Sequence, residues 1–366
     1  MKYYIIAGEA SGDLHGSNLI KELINNDAAA NIRCWGGNKM ETSGALLVKH
    51  YRDLAFMGFT EVIKNLPTIF KNIAFCKKDV TAFKPDVLIL IDYPGFNMRI
   101  AKWAHEQKIK VVYYISPQIW AWKENRVHAI KRDVDKMLVI LPFEKDFYKK
   151  FNVEVEYVGH PLAEVISNFN IENPHIKKEK IIAVLPGSRK QEILIKLPIM
   201  LQVANYFPDY KFIVAKAPGL DNDFYLEILK PYKNVSSVAD QTYHLLAKSA
   251  AAMVTSGTAT LETALFKVPQ IICYKGGKIS YHIAKRLIKI KFIGLVNLIM
   301  NKEVVKELIQ DELNLKNLVT ELKLLLEDDK KTNTIKKDYD NLFNLLHGSG
   351  NASANAAQKI HEFLMP

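Results

Sequence analysis

Short, nearly uninterrupted apolar runs alternate along this chain with longer amphipathic stretches. That alternation constrains the fold more than any other feature of the sequence. Tyr3–Ala7, Asp86–Ile91, Lys110–Ile115 and Lys136–Ile140 are runs of this kind, as expected of parallel strands covered on both faces. Between them Gly16–Ile24, Ile69–Phe83, Asn97–Gln107 and Pro142–Phe151 have helical spacing, and repeated βαβ units imply a doubly wound sheet. The pattern pauses over Val158–Pro174, where Gly159-His160-Pro161 reads as a turn and Asn168, Asn170, Asn173 and Pro174 as a polar linker. It then restarts with strands at Ile181–Leu185, Lys211–Ala215, Ala251–Thr255 and Gln270–Tyr274. From Leu313 onward two or three helices are expected without strands, with Asp328–Lys337 as a charged break between helices. The fold class is therefore α/β: two Rossmann-like domains facing a central cleft, with a helical C-terminal tail. Open sheets of this kind bind ligands beyond the C-terminal ends of their strands.

Composition narrows the function classes. The 366 residues suit two domains, and 49% hydrophobic against 24% charged residues is ordinary for a folded protein. Lys and Arg number 50 against 39 acidic residues, for a net charge of +11. That excess favours phosphates, nucleic acid or an acidic membrane surface as partners. Cys34, Cys76 and Cys273 are far apart and form no CxxC or Cys/His cluster, so neither a disulfide framework nor a zinc site is expected. Free thiols fit a reducing cytoplasm. No segment reaches the ~18 consecutive apolar residues of a spanning helix.

Several motifs sit where such a fold puts its chemistry. Gly8-Glu9-Ala10-Ser11-Gly12-Asp13 follows the first strand and opens a helix. It offers either a ligand loop with free N–H groups or a tight turn capped by Ser11 or Asp13. It is not GxGxxG, which counts against a nicotinamide dehydrogenase. Asp92 ends another strand in Ile91-Asp92-Tyr93-Pro94-Gly95-Phe96-Asn97. There it can serve as a general base, or as an Asx turn or helix cap. Trp120 and Trp122, in Ser116-Pro117-Gln118-Ile119-Trp120-Ala121-Trp122, can form a sugar or acyl platform or simply pack. In the second half, Leu185-Pro186-Gly187-Ser188-Arg189 sets a guanidinium at a helix start, suited to phosphate. Thr255-Ser256-Gly257-Thr258-Ala259-Thr260-Leu261-Glu262 exposes N–H groups after a strand, and Glu262 can accept two ribose hydroxyls or act in a capping box. Thr263–Lys302 contains no acidic residue, and Lys275, Lys278, Lys285, Arg286, Lys289 and Lys291 alternate there with apolar positions. Such a stretch suits a membrane surface or a phosphate-bearing lipid, or is a solvated helix face. A second apolar region, Phe56–Phe75 with Met57 and Phe59, has helical spacing and can pack or hold acyl chains.

Taken together and in order, GEASGD, MGFTEVI, KPDVLILIDYPGFN, YYISPQIWAWKENR, LPFEKDFY, VGHPLAE, LPGSRKQEI, TSGTATLETAL, AKRLIK and VNLIMNKEVVKELIQ resemble the lipid-A-disaccharide synthase family. The matches cover about residues 7 to 310. The resemblance implies the glycosyltransferase B fold. It also implies an inverting transfer from UDP-2,3-diacylglucosamine to 2,3-diacylglucosamine 1-phosphate (lipid X), giving a β-1,6-linked disaccharide 1-phosphate and UDP. Under it, residues 1–160 form the acceptor and lipid domain and 161–345 the UDP-sugar domain. Residues 346–366 form a helix returning to the first domain of the same chain or a partner's. Asp92 matches the family's proposed base, and Glu9 joins it as a candidate catalytic residue. Ser188, Arg189, Ser256, Gly257, Thr258, Glu262 and Asn297 match the nucleotide side. Ser11, Asp13, Met57, Phe59, Trp120 and Trp122 fall on the acceptor and acyl side. No metal and no cofactor are expected, nor a nucleic-acid partner. The implied setting is the inner face of the cytoplasmic membrane, as a cytoplasmic peripheral protein, and a homodimer is among the allowed assemblies. The chain departs from the family at Gly95, where many relatives carry Asp, at Leu295-Val296-Asn297 for Leu-Pro-Asn, at Asn301-Lys302 for Gly-Arg and at Lys306-Glu307 for Pro-Glu. Lys302 lacks the bidentate fork of Arg, which weighs against a diphosphate contact from that loop.

Overall fold

The computed structural model describes residues 1–54, 66–277, 291–347 and 350–365, and of Leu66 and Trp122 the backbone alone. The chain divides into two units: Met1–Pro161 with Leu346–Pro366, and Leu162–Leu345. Each is built on one parallel sheet with helices.

In unit 1 the strands are β1 (Lys2–Ala7), β2 (Asn31–Gly36), β3 (Leu46–His50), β4 (Val87–Ile91), β5 (Val111–Tyr114), β6 (Lys136–Val139) and β7 (Glu156–Tyr157). They lie in the order β3-β2-β1-β4-β5-β6-β7. The central strands β4 and β5 are buried at every position, which is why they read as unbroken apolar runs in the sequence. Strand order reverses between β1 and β4. Their register pairs Ala7 with Ile91, so Gly8-Glu9 and Asp92 emerge side by side at the topological switch point.

Unit 2 repeats the plan with β8 (Ile181–Leu185), β9 (Lys211–Ala215), β10 (Val235–Val238), β11 (Ala251–Thr255), β12 (Gln270–Tyr274) and β13 (Glu307–Ile309). The order is β10-β9-β8-β11-β12-β13. Leu185 pairs with Val254, which brings Pro186-Gly187-Ser188 beside Thr255-Ser256-Gly257, again at the reversal point. Among the described residues three α-helices follow the last strand, Leu315–Glu327, Asp329–His347 and Ala352–Leu364. The last of these packs on the helix Ala10–Asn26 of unit 1, and Asn355 Nδ2 donates to the Val158 carbonyl at 3.1 Å.

Two sequence expectations need correction. The polar stretch placed as a linker over Val158–Pro174 contains a helix, Pro161–Glu172. Leu162, Ala163 and Ile166 are its buried stripe, and the asparagines lie toward its exposed end. The charged break at Asp328–Lys337 is also mostly helix, Asp329–His347. Most of its charges, Asp338 excepted, occupy the outer face, while Ile335, Tyr339, Leu342 and Leu346 recur at helical spacing and are buried. Only Asp328 interrupts, accepting from the Lys331 N–H at 2.9 Å.

Candidate functional site

Two clusters occupy the two switch points, one on each unit. On unit 1 the chain leaves β4 through two successive residues in the left-handed region, Asp92 (φ 43°) and Tyr93 (φ 49°). Ile115, at the end of the neighbouring β5, is left-handed as well (φ 66°), which is uncommon for a β-branched residue. Strain of this kind persists only where the surroundings fix it. Here Tyr113 Oη donates to the Asp92 carbonyl at 2.6 Å and Asn97 Nδ2 donates to the same oxygen at 2.8 Å. The Asp92 N–H donates to the Ile115 carbonyl at 3.2 Å. The Tyr93 ring lies against Gly8, where any Cβ would collide with it. That close approach explains why the first position of the GEASGD loop must be glycine.

This scaffold aims the Asp92 carboxyl into a half-buried position. Burial, and secondarily the Glu9 charge, push it up to about 6. A base with an affinity near the working pH is better matched to proton abstraction than an ordinary aspartate. Glu9 sits exposed at the N-cap of the helix Ala10–Asn26 and makes no side-chain cap.

On unit 2 a pocket of about 290 Å3 opens between the β8 and β11 loops, with Gly187, Ser188, Lys216, Ser256, Gly257 and Glu262 among its lining residues. Gly187 is left-handed (φ 107°). The helix Thr258–Leu265 starts at Gly257 (φ 151°) with no side-chain cap, so its first N–H groups remain available to an anion. Glu262 does not close a capping box. It accepts from Tyr243 Oη at 3.3 Å, and its carboxyl is raised by burial. Arg189 is exposed and donates to Glu192 at 3.0 Å.

Comparison with known proteins decides the family. The lipid-A-disaccharide synthetase family model matches residues 3–361. The lipid-A-disaccharide synthase of Geobacter metallireducens is 38% identical over 371 residues, covering 98% of this chain and 96% of its own. The chain belongs to the lipid-A-disaccharide synthetase family. The Coxiella burnetii enzyme of the same name is 36% identical, with 98% of both chains covered. A member of this family is a glycosyltransferase of lipid A biosynthesis. Among solved structures, the UDP-GlcNAc 2-epimerase of Neisseria meningitidis bound to UDP-GlcNAc superposes with a TM-score of 0.69 at 14% identity, covering 99% of this chain and 100% of its own. The glycotransferase of kitacinnamycin superposes at 0.68 and 13% identity, covering 100% and 99%. These two likenesses concern the fold, which is of glycosyltransferase B type.

Within this synthetase fold the residues singled out in the sequence separate into groups. Glu9 and Asp92 come together on unit 1, with Ser11 exposed in the first turn of the adjoining helix. Ser188, Ser256, Gly257, Thr258 and Glu262 surround the unit 2 pocket, and Arg189 adjoins it. Four others are engaged elsewhere. Asp13 is 4% exposed and accepts from the N–H groups of Gly37, Lys39 and Met40 at 2.8–3.3 Å. It therefore caps the short helix Asn38–Thr42 instead of presenting a free carboxylate to an acceptor. Asn297 is fully buried. It donates to the Val305 carbonyl and Glu307 at 2.8 and 2.9 Å and accepts from the N–H groups of Val304 and Val305, which leaves its amide no capacity for a nucleotide. Trp120 is 8% exposed and packs edge-on against Phe143 at 5.0 Å, so its ring is interior packing and not an open platform. Lys302 donates to Asp338 at 2.7 Å. Met57, Phe59 and most of the basic stretch (278–290) lie outside the described residues, as does the Trp122 side chain.

Sequence reading missed Tyr113 and Asn97, whose side chains build the Asp92 turn, and Glu144. That carboxyl is 1% exposed and pushed up to about 7 by burial, while the Leu141 N–H donates to it at 2.9 Å. Also missed was Lys196, fully buried on the helix Lys190–Leu201. The signal was present: Arg189, Glu192 and Lys196 have the i, i+3, i+7 spacing of one helix face. Among the described residues no group of three or more metal-ligating side chains occurs, and no helix is long and apolar enough to cross a membrane.

Proposed function

We propose that this chain joins UDP-2,3-diacylglucosamine to 2,3-diacylglucosamine 1-phosphate by a single inverting displacement, with the acceptor on unit 1 and the donor on unit 2. The acceptor 6-oxygen forms a bond to the donor C1 as the bond from C1 to the diphosphate oxygen breaks. Asp92 takes the hydroxyl proton, and the electron pair leaves with UDP. The observation that carries this reading is Asp92 itself: a carboxyl held in a left-handed turn at a switch point and raised to about 6. Glu9 contributes charge that raises the affinity of Asp92 for the proton. Charge grows on the departing diphosphate, which the N–H groups after Gly257, the Ser188 turn and the Arg189 guanidinium are suited to meet. Pre-set donors of that kind do the work that a metal does elsewhere, so activity in chelator is expected.

Both substrates carry acyl chains, which puts the reaction at a bilayer surface. In the described part of the apolar region, Phe70 and Phe75 are 59% and 46% exposed on the helix Leu66–Phe83 and offer an apolar contact. Lys275 and Lys291 flank the basic stretch. Vesicle binding that weakens with salt points to the basic stretch, and binding indifferent to salt to the apolar face.

The test is a mass-spectrometric assay with both lipids in detergent micelles and chelator, for wild type and Asp92→Asn. Disaccharide 1-phosphate and UDP from wild type alone support the reading. No disaccharide from folded wild type, with Mg2+ restored, overturns it and turns the search to water-soluble UDP-sugars.

A further inference from the structure

Lys196 is 1% exposed and lies behind the unit 2 pocket, whose lining includes its partner Glu192. Its ammonium donates to Glu192 Oε2 at 3.3 Å, and the other oxygen of the same carboxylate accepts from Arg189 Nη1 at 3.0 Å. The three groups therefore form a line: an exposed guanidinium (68%), a carboxylate at the surface (36%) and a buried ammonium (2%). Gly187 lies over the inner pair, for a Cβ added there would stand 3.3 Å from Glu192 Oε2 and 3.7 Å from Lys196 Nζ. The ion pair thus underlies the turn that lines the unit 2 pocket. Burial pulls the ammonium below its ordinary value, and Glu192 pulls it back.

A guanidinium that must grip a diphosphate has a competitor in its own helix. Glu192 holds Arg189 in the absence of a ligand and would hold it more firmly were it the carboxylate's sole cation. The buried lysine divides the charge of Glu192. We propose that Lys196 is a positioning residue for the donor site, which neutralises Glu192 from behind and so frees Arg189 for the diphosphate. The trio then carries one net positive charge facing the pocket.

This inference rests on the donor reading of unit 2 and makes a charge-parity forecast. Lys196→Met leaves Arg189 and Glu192 as a closed pair, with no net charge. Glu192→Gln leaves Arg189 uncontested and strips the buried ammonium of its counter-charge, and Lys196→Met with Glu192→Gln leaves Arg189 as the single cation. Binding of UDP by calorimetry should weaken about tenfold in Lys196→Met. It should strengthen about two- to threefold in Glu192→Gln and return to within about twofold of wild type in the double variant. In turnover the single Lys196 variant should raise the donor KM and also lower kcat, because Arg189 meets the charge that grows on the leaving diphosphate, and adding Glu192→Gln should restore both. Lysine that merely props the Gly187 turn would not be rescued by Glu192→Gln, so failure of rescue overturns the proposal. A loss of affinity in Glu192→Gln does the same, and that test holds even if Lys196→Met fails to fold. If wild type binds no UDP, the donor reading itself falls, and this inference falls with it. If wild type binds and Lys196→Met binds equally, only this inference fails.

Discussion

The two switch points share a topology and differ in how they hold charge. On unit 1 one carboxyl is half buried, strained at its own backbone and pressed by a like charge from Glu9. On unit 2 the candidate groups Ser188, Arg189, Gly257 and Thr258 are exposed, with Glu262 the partly buried exception, and backbone freedom is supplied by Gly187 and Gly257. A parallel sheet delivers loops to the same edge in both halves. The chemistry of those loops then follows from whether a side chain or the backbone fills the left-handed positions. A side chain there costs strain and fixes one group accurately. Glycine there costs nothing sterically and leaves N–H groups bare.

The largest effect that would sharpen this contrast is expected from Asp92→Asn. Its kcat should fall about 1,000-fold, within the range of general-base removal, with UDP binding unchanged. The same variant should be more stable than wild type at pH 8. Because the folded-state affinity of Asp92 for a proton is raised, ionising it disfavours the fold, so wild type should gain stability relative to the variant as pH falls through about 6. Thermal melts across that window check the sign, and a variant less stable at pH 8 would break the account of a strained, buried carboxyl. Next, Arg189→Ala should weaken UDP binding about 10- to 100-fold, the range for a hydrogen bond between charged groups. The acid limb of the rate profile should stay in place. If that limb moves, the two clusters are not chemically separate.

Asp13→Ala should cost about 2 kcal/mol in urea unfolding, since three N–H groups lose their acceptor. That loss should appear in the stability of unit 1 and not in UDP affinity. The smallest effect is that of Glu9→Gln. Removing this like charge should shift the acid limb of kcat to lower pH, where wild type loses activity as pH falls through about 6. An unmoved limb would assign the raised proton affinity of Asp92 to burial alone.

How much of this was legible beforehand depended on whether a segment's role is written in local pattern. Strands such as Val87–Ile91 are buried on both faces and announce themselves as apolar runs. Asn31–Gly36 and Leu46–His50 did not, because their polar positions break the run, and Leu46 is 59% exposed. The helix Pro161–Glu172 was hidden by its asparagines. Asp92 stood out because it terminates an apolar strand, and the Ser188 and Gly257 loops because small residues follow strands. Asp13 and Asn297 looked the same as ligands do in sequence. Only the partners brought by other strands and loops, Gly37 and Met40 for one and Val304 and Val305 for the other, show that their oxygens are already taken. Lys196 was missed for the converse reason. A lysine on a helix reads as solvated, and burial at 1% exposure is a property of the packing around it.

The helix Ala352–Leu364 belongs to unit 1, although the whole of unit 2 precedes it in the chain. During synthesis, then, the half that bears Asp92 waits unfinished, with the helix Ala10–Asn26 lacking its neighbour, while the other half is already available to fold. Unit 2 is thus complete in the growing chain first and unit 1 last. Proteins truncated near residue 345 would keep the former and leave the latter with an uncovered apolar face.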